Sequence, residues 1–121
     1  MKERILLVGE DRILLETRAL LLAEWSATIA STKEALATIE QEPFDIVIIG
    51  QLVPEPAITQ LIIAARKSSS APAMLVIRFP GEEKDFGVEV QTTDSWDNPG
   101  WLRASVARMI SKRTPVQTLA S

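Results

Sequence analysis

Phe44-Asp45-Ile46-Val47-Ile48-Ile49-Gly50-Gln51-Leu52-Val53-Pro54 is the stretch that decides the fold. Ile46 to Ile49 are consecutive β-branched residues, whose stiff side chains suit the pleated backbone of a strand. No polar residue alternates with them, so both faces of this strand are expected to be buried, as in a central parallel strand. The run stops at Gly50 and opens into a loop that reaches Pro54. In open α/β sheets, binding and chemistry gather at the loops beyond the carboxyl ends of the strands. The residue at position 50 therefore bears heavily on function.

Working towards the amino terminus, Pro43 blocks continuation of a helix that begins after Ser31. Ser31-Thr32-Lys33-Glu34 fits a capping box, with Ser31 reaching forward and Glu34 reaching back. Ala35, Leu36 and Ile39 share one face of that helix. Trp25 to Ala30 alternates in character and predicts a strand at a sheet edge. Before it, Arg12 to Glu24 repeats leucine at positions 14, 15, 21 and 22, which gives one apolar stripe, with Glu16 and Arg18 among the polar positions. Asp11 is placed to cap this helix. Ile5-Leu6-Leu7-Val8 is a further buried strand.

Towards the carboxyl terminus, Pro56 pre-sets the first turn of a helix that runs to about Lys67, with Ile58, Leu61, Ile62 and Ala65 facing inward. Met74 to Phe79 and Val88 to Thr92 predict two more strands. Asp97 or Asn98 caps a last helix, with Pro99 in its first turn and Leu102, Val106, Met109 and Ile110 on its inner face. Lys112 and Arg113 suit the helix end electrostatically. Strands alternating with helices imply an α/β fold, a doubly wound five-stranded parallel sheet. Only the residues from Pro80 to Gly87 separate the last two strands, whereas a full crossover takes about 10–12 residues. The fourth helix of a complete pattern is therefore expected to be a single turn or missing. Residues 1–113 form the expected domain, and Thr114 to Ser121 the expected flexible tail.

At 121 residues, 46% apolar and 24% charged, the chain has the size and composition of one globular domain. It contains no cysteine and no histidine, which removes thiolate metal sites, disulfides, the commonest general base and the commonest metal ligand. The net charge of −3 argues against nucleic-acid binding, which wants a basic stripe. The apolar run at Ile5 is too short for a secretory signal, and no stretch approaches the roughly 20 residues of a membrane span. A cytoplasmic protein is expected.

From Lys2 to Lys112 the chain resembles the receiver domain of bacterial two-component response regulators. Ile5-Leu6-Leu7-Val8-Gly9-Glu10-Asp11 is similar to the family's first strand with its acidic cluster, and Phe44 to Pro54 to its third strand and following loop. The resemblance implies a flavodoxin-like fold of receiver topology and a role in phosphorelay signal transduction. It also implies an aspartate that accepts a phosphoryl group, with a proline four residues later. Pro54 stands at that offset, but the aspartate's place is taken by Gly50. Of the two adjacent acids that hold magnesium in the family, the first position is Gly9 and the second Glu10. The family's hydroxyl residue falls at Ile77 or Arg78. Its lysine aligns with Ser95, followed by Trp96 instead of proline, and its aromatic switch residue lands near Thr92. Phosphoryl transfer to a carboxylate needs a nucleophilic oxygen, a metal ion and a fixed cation. The resemblance is thus to a degenerate receiver, a pseudoreceiver, with no catalytic residue and no cofactor or magnesium ion expected.

Each remaining candidate has two readings. Glu10 and Asp11 are either a vestigial divalent-ion site or a first-turn acid and a helix cap. Arg78 either fills the vacated pocket, paired with Glu10 or Asp11, or points to solvent. Trp96 and Trp101 mark a docking face or cover core left bare by the short fourth connection; Trp25 reads as core or rim packing. The function expected is a non-enzymatic signalling module acting through protein contacts. Its partner would be a histidine kinase, an output domain or a second copy in a homodimer. The alternative is a small-ligand-binding flavodoxin-like domain that uses the pocket above Gly50.

Overall fold

Strand β3 (Ile46–Ile49) is buried at every position and lies in the middle of the sheet. A computed structural model describes residues 2–93 and 100–113. Ile46 and Ile48 point into one apolar cluster, and Val47 and Ile49 into the other, so this strand feeds both cores at once. β1 (Arg4–Val8) pairs with it on one side and β4 (Ala73–Arg78) on the other. β2 (Ser26–Ala30) lies beyond β1, and β5 (Glu89–Thr92) beyond β4. All four pairings are parallel, and the order is β2-β1-β3-β4-β5. This is the α/β architecture that the strand pattern predicts.

Helices α2 (Thr32–Gln41) and α3 (Glu55–Lys67) cover one face through Ala35, Ile39, Ile58, Leu61 and Ile62. Helices α1 (Arg12–Leu21) and α4 (Gly100–Arg113) cover the other through Leu15, Leu102, Val106 and Met109. The capping box forms: Glu34 N–H donates to Ser31 Oγ at 3.2 Å and Ser31 N–H to Glu34 Oε1 at 3.1 Å. Asp11 caps α1 by accepting from Leu14 N–H at 3.2 Å.

Several boundaries differ from expectation: β1 begins at Arg4 and not Ile5, and β5 at Glu89 and not Val88. α1 stops at Leu21, not Glu24, because the chain must turn there: Trp25 N–H returns to Leu22 O, and Ser26 N–H reaches Glu3 O to set β2 in register. Trp25 accordingly lies outside the strand, half-buried against the α1 side of the core. β4 runs from Ala73 to Arg78, so Arg78 is its last residue rather than an interior one.

No helix lies between β4 and β5 among the described residues. A turn closed by Glu82 N–H to Phe79 O begins the connection, and Gly81 and Gly87 take positive φ angles of 87° and 78°. Phe86 and Val88 pack on the α2/α3 side of the core where a crossover helix would lie. The expected cap at Asp97 or Asn98, Pro99, Ser95, Trp96 and the tail from Thr114 lie outside the described residues.

Three carboxyls carry a pH signature. The Ser31 backbone and hydroxyl hold Glu34 below its ordinary 4.5. Hydrogen bonding and charge from Lys84 do the same for Glu55, and hydrogen bonding from Arg108 for Glu89. A depressed folded-state value means stability that is complete above 4.5 and lost as pH falls through the lower folded values. Unfolding midpoints measured from about pH 7 downward are therefore expected to stay level until about pH 5 and then fall. Ser31→Ala is expected to cost about 1 kcal/mol in urea at neutral pH. A midpoint that does not change in acid would refute the assignment.

Candidate functional site

The carboxyl ends of β1, β3 and β4 meet at the loops Gly9–Asp11 and Gly50–Pro54 and at Arg78. Gly50 N–H continues the ladder by donating to Val8 O at 2.8 Å, and Val53 N–H closes a tight turn onto Gly50 O at 3.2 Å. The β3–α3 loop is thereby folded back on its own strand.

The space above Gly50 is filled by Arg18. This arginine rises from α1, is 5% exposed, and donates from Nη2 to the Gln51 side-chain oxygen at 2.9 Å. A methyl group built on Gly50 would stand 3.4 Å from Arg18 Nη1 and 3.2 Å from Val8 O. The guanidinium thus lies beside the place that a side chain at position 50 would take. Burial pushes the Arg18 guanidinium down to about 10, and the charge of Asp11 opposes that shift. It stays protonated at neutral pH, so a fixed positive charge sits at the head of β3.

Arg78 supplies a second buried cation, 7% exposed. Its Nη1 donates to Gln51 O at 3.2 Å and to Val53 O at 3.1 Å, and its Nη2 lies 3.7 Å from Glu82. Gln51 is held twice, by Arg18 through its side chain and by Arg78 through its backbone. Arg78 is therefore buried and does not point to solvent, and it bonds loop carbonyls in place of the expected pairing with Glu10 or Asp11. Both acids are engaged elsewhere. Asp11 caps α1, and Glu10 Oε2 accepts from Thr32 N–H at 3.2 Å at the start of α2. The orphan carbonyls of the loop are what remain for Arg78.

Between Gly9, Asp11, Leu14, Arg18, Gly50 and Leu52 a cavity of about 10 Å³ is left, at the lower limit of what holds one water. No group of three or more acidic side chains comes together among the described residues. Trp101 is half-buried against the α1/α4 cluster, opposite the side where Phe86 and Val88 fill in for the absent helix, so it does not cover that gap.

Two residues of this site escape a sequence reading that equates charge with exposure. Arg18 lies three residues after Leu15 and four before Leu22, on the buried stripe itself, and that spacing is the signal that locates it. Gln51 carries no comparable signal.

No family model and no curated protein sequence matches the chain. Solved structures do. An adenylate cyclase from Rhodopirellula baltica is 24% identical with a TM-score of 0.77, the match covering 99% of this chain and 96% of that one. A CheY-like response regulator receiver domain protein from Methanospirillum hungatei JF-1 is 21% identical with a TM-score of 0.76, over 93% and 96%. The chemotaxis protein CheY4 of Vibrio cholerae is 19% identical with a TM-score of 0.72, over 90% and 99%. The chain has the fold of CheY-like receiver domains.

The crowding at Gly50 gives a direct test. Gly50→Ala is expected to destabilise by about 1–3 kcal/mol, because the methyl would stand tight against the Val8 backbone oxygen at 3.2 Å, with Arg18 Nη1 next to it at 3.4 Å. In an Arg18→Met background the same change is expected to cost at least about 0.5 kcal/mol less, read from a double-mutant cycle in urea. Additive costs would mean that Arg18 does not occupy this space in solution.

Proposed function

We propose that this chain is a receiver-fold signalling module that works by protein–protein contact and accepts no phosphoryl group. The observation that carries the reading is the Arg18 guanidinium over Gly50, with Gln51 held between Arg18 and Arg78. Phosphorylation of a carboxylate needs an oxygen nucleophile, and Gly50 has no side chain to supply one. It needs a metal ion close to that oxygen, and Glu10 and Asp11 are spent on two helix termini. A magnesium ion entering the cavity above Gly50 would also face the positive charge of Arg18 at close range. The two arginines instead supply, permanently, the cationic grip on the β3–α3 loop that a bound ion would supply only on demand.

The same geometry weighs against the alternatives. A small ligand has about 10 Å³ above Gly50 unless Arg18 leaves. Asp11 as a substitute phosphoacceptor would have to give up its cap on α1. Partners of the proposed module are a histidine kinase, an output domain or a second copy of the chain, in the cytoplasm. Nucleic acid is disfavoured by the net charge of −3. No helix among the described residues is long and apolar enough to cross a membrane. With Trp96 outside the described residues and Trp101 packed inward, α1 offers the better contact face. Ile13 is 79% and Leu20 78% exposed, two turns apart on one side of the helix.

Incubation with magnesium and acetyl phosphate, followed by intact mass, is expected to give no phosphoryl adduct. Beryllofluoride is expected to leave tryptophan fluorescence unchanged. A saturable response to either, abolished by Glu10→Ala or Asp11→Ala, would defeat the proposal.

A further inference from the structure

We propose that the groove at the amino-terminal edge of β4 and β5 binds an organic anion with an apolar body, of the acyl or aryl carboxylate class. This groove lies at the opposite end of β4 from Arg78, roughly 17 Å away at about 3.3 Å per residue, and shares no residue with the site above Gly50. It opens at the end of the sheet where α3, on one face, and α4, on the other, both finish, beside the helix-free connection between β4 and β5.

Its chemistry is two-part. Met74, Val88 and Met109 supply the apolar floor, and methionine adapts its shape to irregular apolar groups. Arg66, Lys112 and Arg113 stand around it. Glu89 is the acid among the lining residues, and its charge is already met by Arg108 and Gln91. The groove is therefore cationic in a chain whose net charge is −3. Arg66 is held in place by its bond from Nη2 to Gly87 O at 3.0 Å, and a side chain at Gly87 would stand 2.9 Å from that nitrogen. Arg113 is anchored on Ala71 O at 3.0 Å and Ser70 O at 3.3 Å, and its Nη2 lies 3.8 Å from Asp45. A guanidinium has five N–H donors, so both arginines keep donors for a ligand. Lys112 makes no hydrogen bond among the described residues. The volume, about 380 Å³, falls within the roughly 300–1,000 Å³ of small-molecule sites. A carboxylate at the cationic rim and an apolar body on the methionine floor satisfy both parts.

The test is a titration of the full chain with decanoate below its micellar concentration, followed by amide NMR. Saturable shifts at Gly87, Val88, Glu89 and Lys112 are expected. Lys112→Glu, which removes no hydrogen bond within the fold but does remove the attraction of Lys112 for Glu89, is expected to weaken binding at least tenfold, and decanol is expected to bind at least tenfold more weakly than decanoate. Three results overturn the assignment. One is shifts confined to Ile13 and Leu20. Another is affinity indifferent to Lys112→Glu or to loss of the carboxylate. The last is groove amides that move with protein concentration as mass rises, which would put a second copy there.

Discussion

Everything in this fold hangs on β3 being apolar on both faces. A strand of four fully buried residues has no solvent side, so layers must form above and below it. Ile46 and Ile48 fix the core under α1 and α4; Val47 and Ile49 fix the one under α2 and α3. A slip of one residue in register would exchange the two sets and misplace every helix. The same strand sets where the functional edge lies, because its ladder continues through Gly50 N–H to Val8 O before the chain turns away.

At that edge the sheet presents carbonyls and loop oxygens without ladder partners, and the chain satisfies them with cations. Burying a guanidinium is costly unless its donors are used. Arg18 meets that condition through Gln51 and the nearby charge of Asp11, Arg78 through two carbonyls and Glu82. Arg78 Nε remains without a partner, which lowers the net gain of that arrangement. The return is a loop held at two points: Gln51 is bonded through its backbone to Arg78 and through its side chain to Arg18.

The fold was legible because its signals are local and redundant. Strand β3 announces itself by composition, α2 by a capping box whose two hydrogen bonds both form, and the absent crossover helix by the short run from Pro80 to Gly87. The site was legible only in outline. Gly50, Pro54 and Arg78 are recognisable by position along the chain, but what fills the space above Gly50 comes from a helix more than thirty residues earlier, at Arg18. A charged residue inside a leucine stripe is ordinarily assigned to solvent, since arginine is almost never fully buried unless paired. Its partner, Gln51, becomes its partner only when the chain is folded. Long-range polar pairing of this kind leaves no periodic trace.

The two arginines also differ in what they ask of evolution and of physics. Arg78 bonds two backbone carbonyls, which any sequence would present at this turn, and adds an ion pair with Glu82, so its role depends chiefly on the fold. Arg18 lies beside the place that a side chain at position 50 would take: a methyl there would be in ordinary contact with its Nη1 at 3.4 Å and tight against Val8 O at 3.2 Å. An aspartate at the head of β3 and a buried arginine in the same space compete sterically, although their charges would attract. The attraction would have to outweigh displacement of a side chain already bonded to Gln51 and held in a gap with about 10 Å³ to spare. Gly50, Arg18 and Gln51 together make a cation-filled corner at the head of β3.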